Sequence, residues 1–136
     1  MMRISEAAQH SGLSSKMIRH YEDVGLIQAA ARTEAGYRQY SSAQLEQLGF
    51  IRHARSLGFS IAQIRDLLQL RDNPHRASRE VKQLALQHLQ ELDQRMLALK
   101  KMQAMLNDLV ARCAGDDSPD CVIIDELSEP GVTGNE

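Results

Sequence analysis

Residues 78–112 read SREVKQLALQHLQELDQRMLALKKMQAMLNDLVAR, and the rest of the chain has to be understood around them. Apolar side chains recur at Val81, Ala85, Leu89, Leu92, Met96, Leu99, Leu106 and Val110. Steps of three, four or seven line these residues up on one face of a helix, with a break at Gln103, beside Met102. No Gly or Pro interrupts the run, which is dominated by the good helix formers Leu, Gln, Ala, Lys and Met. Such a helix extends about 50 Å. No other segment of the 136 residues is long enough to cover so narrow and long a stripe. An intramolecular helix pair is therefore the weaker account. The stronger is a dimerisation rod, paired antiparallel with the same helix of a second copy.

Ahead of the rod the chain reads as small helices punctuated by glycine. Ile4–Ala8 opens a first helix, with Ser5 as its expected N-cap and Gly12 closing it. Ser14 and Ser15 cap a second, Lys16–Glu22, which Gly25 ends. Two short helices joined by a tight turn make a helix-turn-helix, whose second helix can enter a DNA major groove. Two extended pieces then flank Glu34-Ala35-Gly36, where Gly36 supplies the positive φ of a short hairpin, a wing. Arg32, Tyr37, Arg38 and Tyr40 place cations and phenols on it, groups suited to phosphate and sugar. Ser41 with Gln44, and Ser60 with Gln63, have capping-box spacing and start two further helices. Asn73-Pro74 stops the second of these before the rod begins.

Composition narrows the function. The formal net charge of −2 hides an asymmetry: residues 1–60 carry seven Lys/Arg against five Asp/Glu, while residues 113–136 carry seven acids and no Lys or Arg. The basic front can approach phosphates and the acidic end should avoid them. No run of about 18 apolar residues exists, so no membrane span is expected. The N-terminal MMRISEAAQH lacks the apolar centre of a signal peptide, and a cytoplasmic protein is expected. In that reducing compartment, Cys113 and Cys121 read as ligands or reactive thiols rather than a structural disulfide.

Taken together, Ile18-Arg19-His20-Tyr21-Glu22 with Gly25-Leu26-Ile27, Arg32–Tyr40 (RTEAGYRQY) and Ile51-Arg52 to Gly58-Phe59-Ser60 resemble the MerR family of metal-responsive transcription regulators. The Cys113-x7-Cys121 loop is similar to that of the family's CueR-like copper, silver and gold branch. The resemblance implies a mainly α fold: a winged helix-turn-helix over 1–72, a linker and long dimerisation helix over 73–112, and a metal-binding loop with a short helix over 113–128. A flexible tail follows over 129–136. It further implies a homodimer on a palindromic operator in double-stranded promoter DNA. That dimer distorts the promoter on metal binding so that bound RNA polymerase can start. Lys16, Arg19 and Tyr21 on the recognition helix and Arg32, Tyr37 and Arg38 on the wing are the expected DNA contacts, with internal packing of Tyr21 as the alternative.

The chemistry of the thiols is compatible with that branch. Soft thiolates favour soft ions, and two of them satisfy Cu(I), Ag(I) or Au(I), one ion per two-cysteine site, whereas zinc normally takes four ligands. Family members sensing divalent ions place a third cysteine near the start of the partner's long helix. The matching residue here is Ser78, whose hydroxyl is a poor ligand and which also reads as an N-cap. Two thiolates on a monovalent ion leave about one negative charge, which Lys82 of the second copy or the N-terminus of a helix after Cys121 can offset. Gly115 and Pro119 shape the loop, and Asp116, Asp117 and Asp120 form its solvated face. The competing readings are a redox or divalent-metal sensor of the same family, an organic-ligand sensor, and a copper metallochaperone that would leave the wing without a role. No nucleophile–base pair or phosphate-binding glycine loop suggests an enzyme.

Overall fold

The structure, a computed structural model, describes residues 1–130, so most of the tail expected over 129–136 lies outside the described residues. The chain forms two compact units, Met1–Leu86 and a second from Gln87 onward.

In the first unit the order is β1 (Met2–Arg3), α1 (Ile4–Ser11), α2 (Ser15–Asp23), β2 (Ala31–Arg32), β3 (Arg38–Tyr40), α3 (Ser42–Ser56) and α4 (Ile61–Arg71). The hairpin expected around Glu34-Ala35-Gly36 is present, with β2 and β3 antiparallel and Ala31 opposite Gln39. Gly36 sits at φ 89° and its N–H donates to the Thr33 carbonyl at 2.9 Å, closing the turn. A third strand joins it: β1 pairs antiparallel with β3, Met2 opposite Tyr40, giving the order β1-β3-β2. This strand corrects the expected first cap. Arg3 is held extended (φ −74°, ψ 165°), so α1 begins at Ile4 and Ser5 lies inside its first turn. The Glu6 carboxylate accepts the Arg3 N–H at 3.3 Å, in the turn where an acid also suits the helix dipole.

The other serine caps are as expected. Ser14 Oγ accepts from Met17 N–H at 3.1 Å, and Ser41 and Ser60 form reciprocal boxes with Gln44 and Gln63. Losing such a cap costs about 1 kcal/mol. Gly12, between α1 and α2, has φ 77°, a left-handed backbone that the turn needs and that favours glycine. The core gathers Ile18 and Tyr21 from α2, Tyr40 from β3, Leu48 and Ile51 from α3 and Ile64 from α4, all essentially buried. Burial of side chains of this size contributes about 1.5–3 kcal/mol each.

The long helix α5 (Ser78–Arg112) runs unbroken as the periodicity predicts. It starts one residue earlier in capping terms than expected. Ala77 N–H donates to Glu80 Oε1 at 3.4 Å and Ala77 carbonyl accepts from Glu80 N–H, so Ser78 is the first helical residue rather than the cap. Most of the apolar stripe lies open among the described residues: Leu89, Met96, Leu99, Leu106 and Val110 are each more than half exposed, while Val81 and Leu92 are half-buried. After Cys121 comes a short helix, α6 (Val122–Ser128). None of the described helices is long and apolar enough to cross a membrane.

Candidate nucleic-acid interface and thiol pair

Helix α2 is two-sided. Ile18 and Tyr21 point into the core, and Lys16 and Arg19, one turn apart, are exposed on the other side. Tyr21, at 1% exposure, therefore takes the packing alternative; a buried ring has no surface to offer a phosphate. Lys16 and Arg19 remain available to DNA.

On the hairpin, Arg32 and Arg38 are cross-strand neighbours, and like charges directly opposite repel. Each guanidinium is drawn to a different acceptor. Arg32 donates to the Gly36 carbonyl at 2.7 Å, bracing the turn, and stays exposed. Arg38 Nε lies 3.5 Å from Glu22 Oε2 with the side chain 27% exposed, so its charge is partly matched inside the protein. Tyr37 is exposed at the turn, with the Arg3 guanidinium 4.4 Å above its ring centroid. Arg3 thus joins the exposed cations of the hairpin, a role that two residues of strand at the chain start gave no period to reveal.

Glu22 is the second residue the sequence reading passed over. Its carboxylate accepts from Ala30 N–H at 2.7 Å and from the Tyr40 hydroxyl at 2.6 Å, besides facing Arg38. Burial first, then the hydrogen bond to Glu22 and its negative charge, hold the Tyr40 phenol far above its ordinary pKa, against Arg38 and Arg19. The only signal in the sequence is an acid three residues after Arg19 on the same helix.

In the second unit, Cys113 follows α5 directly and Cys121 is the N-cap of α6. The two sulfurs are 3.8 Å apart, and both thiols are free and half-buried. Between them Gly115 has φ 65°, Asp116 accepts from Ser118 N–H at 2.9 Å and Ser118 Oγ from Asp120 N–H at 3.1 Å. These turns let an eight-residue step in sequence return to sulfur contact. The Cys121 thiol is lowered from its ordinary pKa by the backbone N–H of Ile124, with further help from Ile123 N–H and Cys113, against burial and Asp125. Among the described residues no group of three or more His, Cys, Asp and Glu side chains is arranged to hold a metal ion. Ser78 and Lys82 are exposed in the first two turns of α5. His88, farther along it, is buried with Nδ1 3.6 Å from Glu91 Oε2.

Comparison with known proteins agrees with this arrangement. Residues 2–71 match the family described as MerR HTH family regulatory protein, and residues 45–109 match the one described as MerR, DNA binding. Heavy metal-dependent transcription regulator 2 of Rhizobium meliloti is 49% identical over 134 residues, covering 98% of this chain and 91% of that protein. The transcriptional regulator CueR of Salmonella typhimurium is 41% identical over 127 residues, covering 93% and 92%. Among solved structures, a transcription regulator from Ralstonia metallidurans in complex with lead(II) superimposes with a TM-score of 0.78 at 34% identity, over 94% of this chain and all of that one. Members of the family are DNA-binding transcription regulators rather than enzymes. With its helix-turn-helix, its hairpin wing and its long C-terminal helix, the chain belongs to the MerR family of transcription regulators.

Proposed function

We propose that this protein is a metal-responsive activator that binds a palindromic promoter site as a dimer and is switched by one monovalent soft ion, Cu(I), Ag(I) or Au(I), at each Cys113–Cys121 pair. The observation that carries the reading is the pair itself: two free thiols 3.8 Å apart, one of them eased toward thiolate by backbone N–H groups. The heavy-metal dependence in a relative's name supports the same class of signal. Two thiolates suit a monovalent soft ion, while Zn(II) normally takes four ligands. Cys113 and Cys121 would hold the ion, and the segment between them, built on Gly115 and two side-chain turns, would let the sulfurs adjust to it. Ser78 and Lys82 of the second copy complete the surroundings, the hydroxyl withholding a third ligand and the ammonium offsetting the residual negative charge.

Lys16 and Arg19 read the groove, while Arg32, Tyr37 and Arg38 hold the backbone. The signal acts on DNA shape. A ligand shifts an equilibrium only by its different affinity for two states, and bending a short duplex costs about 1–6 kcal/mol, within reach of an ordered metal loop. Transcription in vitro from a promoter the protein binds, with each free metal buffered, tests this. Activation is expected with Cu(I), Ag(I) or Au(I) and none with Zn(II), while Ser78→Cys gains some Zn(II) response. Wild-type activation by Zn(II) as well as Cu(I) would remove the ligand-count argument. The second reading, a divalent sensor, rests on the lead(II) complex of the structural neighbour.

A further inference from the structure

Three groups on the hairpin or its approach converge on one carboxylate of the recognition helix. Glu22 Oε1 accepts the Ala30 N–H at 2.7 Å, just ahead of β2. Glu22 Oε2 accepts the Tyr40 hydroxyl at 2.6 Å, at the end of β3, and lies 3.5 Å from Arg38 Nε between them. The Glu22 side chain is only 7% exposed, and Arg19, one turn before it on α2, is close enough for its charge to act on the Tyr40 phenol. A negative charge beside a surface that meets phosphates weakens binding by itself. Its contribution must therefore be geometric.

We propose that Glu22 is a positioning residue for DNA recognition: its carboxylate clamps the wing to the recognition helix and aims the Arg38 guanidinium. The clamp rests on the reading of α2 and the hairpin as the DNA-contacting elements and adds to it a residue that touches no DNA. Helix and wing meet a duplex at separate points, so their mutual angle selects which DNA shapes fit both at once. Glu22 accordingly governs preference between sequences more than attraction to DNA in general. Ala30 fixes the strand entering the wing and Tyr40 the strand leaving it, so loosening the carboxylate frees both ends of the hairpin together.

Charge and geometry make opposite predictions for one substitution. Glu22→Gln removes a negative charge near phosphates while giving up the pairing with Arg38 and one acceptor oxygen. Affinity is measured by fluorescence anisotropy on a duplex selected by the wild-type full chain from a random pool, and on a scrambled duplex of equal length. The expected result is a loss of about tenfold on the selected duplex, the scale of one charge-assisted hydrogen bond, with scrambled DNA bound as well or better. Glu22→Asp keeps the charge but shortens the reach; it should lose the same preference without the gain on scrambled DNA. A merely structural role lowers both affinities together along with the melting temperature, and that pattern overturns the proposal. So does an unchanged ratio of selected to scrambled affinity in folded Glu22→Gln. Should Glu22→Gln fail to fold, Tyr40→Phe decides by the same ratio, a fall supporting the clamp and constancy overturning it. A wild-type protein that prefers no duplex defeats the DNA reading itself, an outcome visible before any variant is made.

Discussion

In Met1–Leu86, Ile18, Tyr21, Tyr40, Leu48, Ile51 and Ile64 are essentially inaccessible to solvent; from Gln87 on, α5 buries only His88 and Leu109 among its described residues. The two regions have similar raw material, since both are rich in Leu and Ala. They differ in how the chain returns on itself. Short helices broken at Gly12, Gly25 and Gly58 bring apolar faces together from three directions, whereas a straight helix has no means of covering its own stripe. The first region is thus finished within one chain. The second has a partner written into its surface, and each leucine a second copy covers contributes about 1.5–3 kcal/mol. The division suits the proposed dimer, which would place two reading heads on one DNA site.

The strongest way to break this contrast is to charge the stripe. Leu92→Glu together with Leu99→Glu puts four carboxylates into a paired rod, and the dimer dissociation constant should rise about a thousandfold or more, equivalent to about 4 kcal/mol. Sedimentation velocity reads this directly; a wild-type chain that sediments as a monomer at micromolar concentration sinks the pairing. The core around Tyr21 and Tyr40 should melt as before, because none of its residues lies on the stripe.

A second test separates signal from binding. Cys113→Ser or Cys121→Ser should abolish the transcriptional response to metal while changing operator affinity by no more than about twofold, roughly 0.4 kcal/mol. Loss of DNA binding in the metal-free serine variants would show that the thiols support the reading heads themselves.

Smaller effects sharpen the description of the first region. Arg19→Ala should lose about 1–3 kcal/mol of discrimination between the selected duplex and one altered at the contacted base. Arg38→Ala should flatten the salt dependence of binding by about one unit or less on specific and random DNA alike, because Glu22 already matches part of its charge. An unchanged salt series for both variants would count against their assignment to the interface.

What could be read directly from the residues was local. Ser14, Ser41 and Ser60 announce helix starts because each cap bonds a backbone N–H within three residues. The rod follows from 35 residues without Gly or Pro and an apolar period broken only at Gln103, and the wing turn from one glycine that tolerates positive φ. The Cys113–Cys121 spacing marked a candidate site for the same reason: its geometry is contained in one loop. Tertiary structure decided whatever depends on residues far apart in the chain. Met2 and Arg3 become a strand only because Gln39 and Tyr40 lie beside them, and that pairing shifts the first helix cap from Ser5 to Arg3. Which side of α2 faces out, leaving Arg19 exposed and taking Tyr21 inward, depends on the core that the other helices and β3 assemble. Glu22 reads in sequence as one more solvated acid. Its meaning appears only when Tyr40, 18 residues later, swings a hydroxyl to within 2.6 Å, because the partners of a buried charge are chosen by the fold and not by the neighbouring sequence.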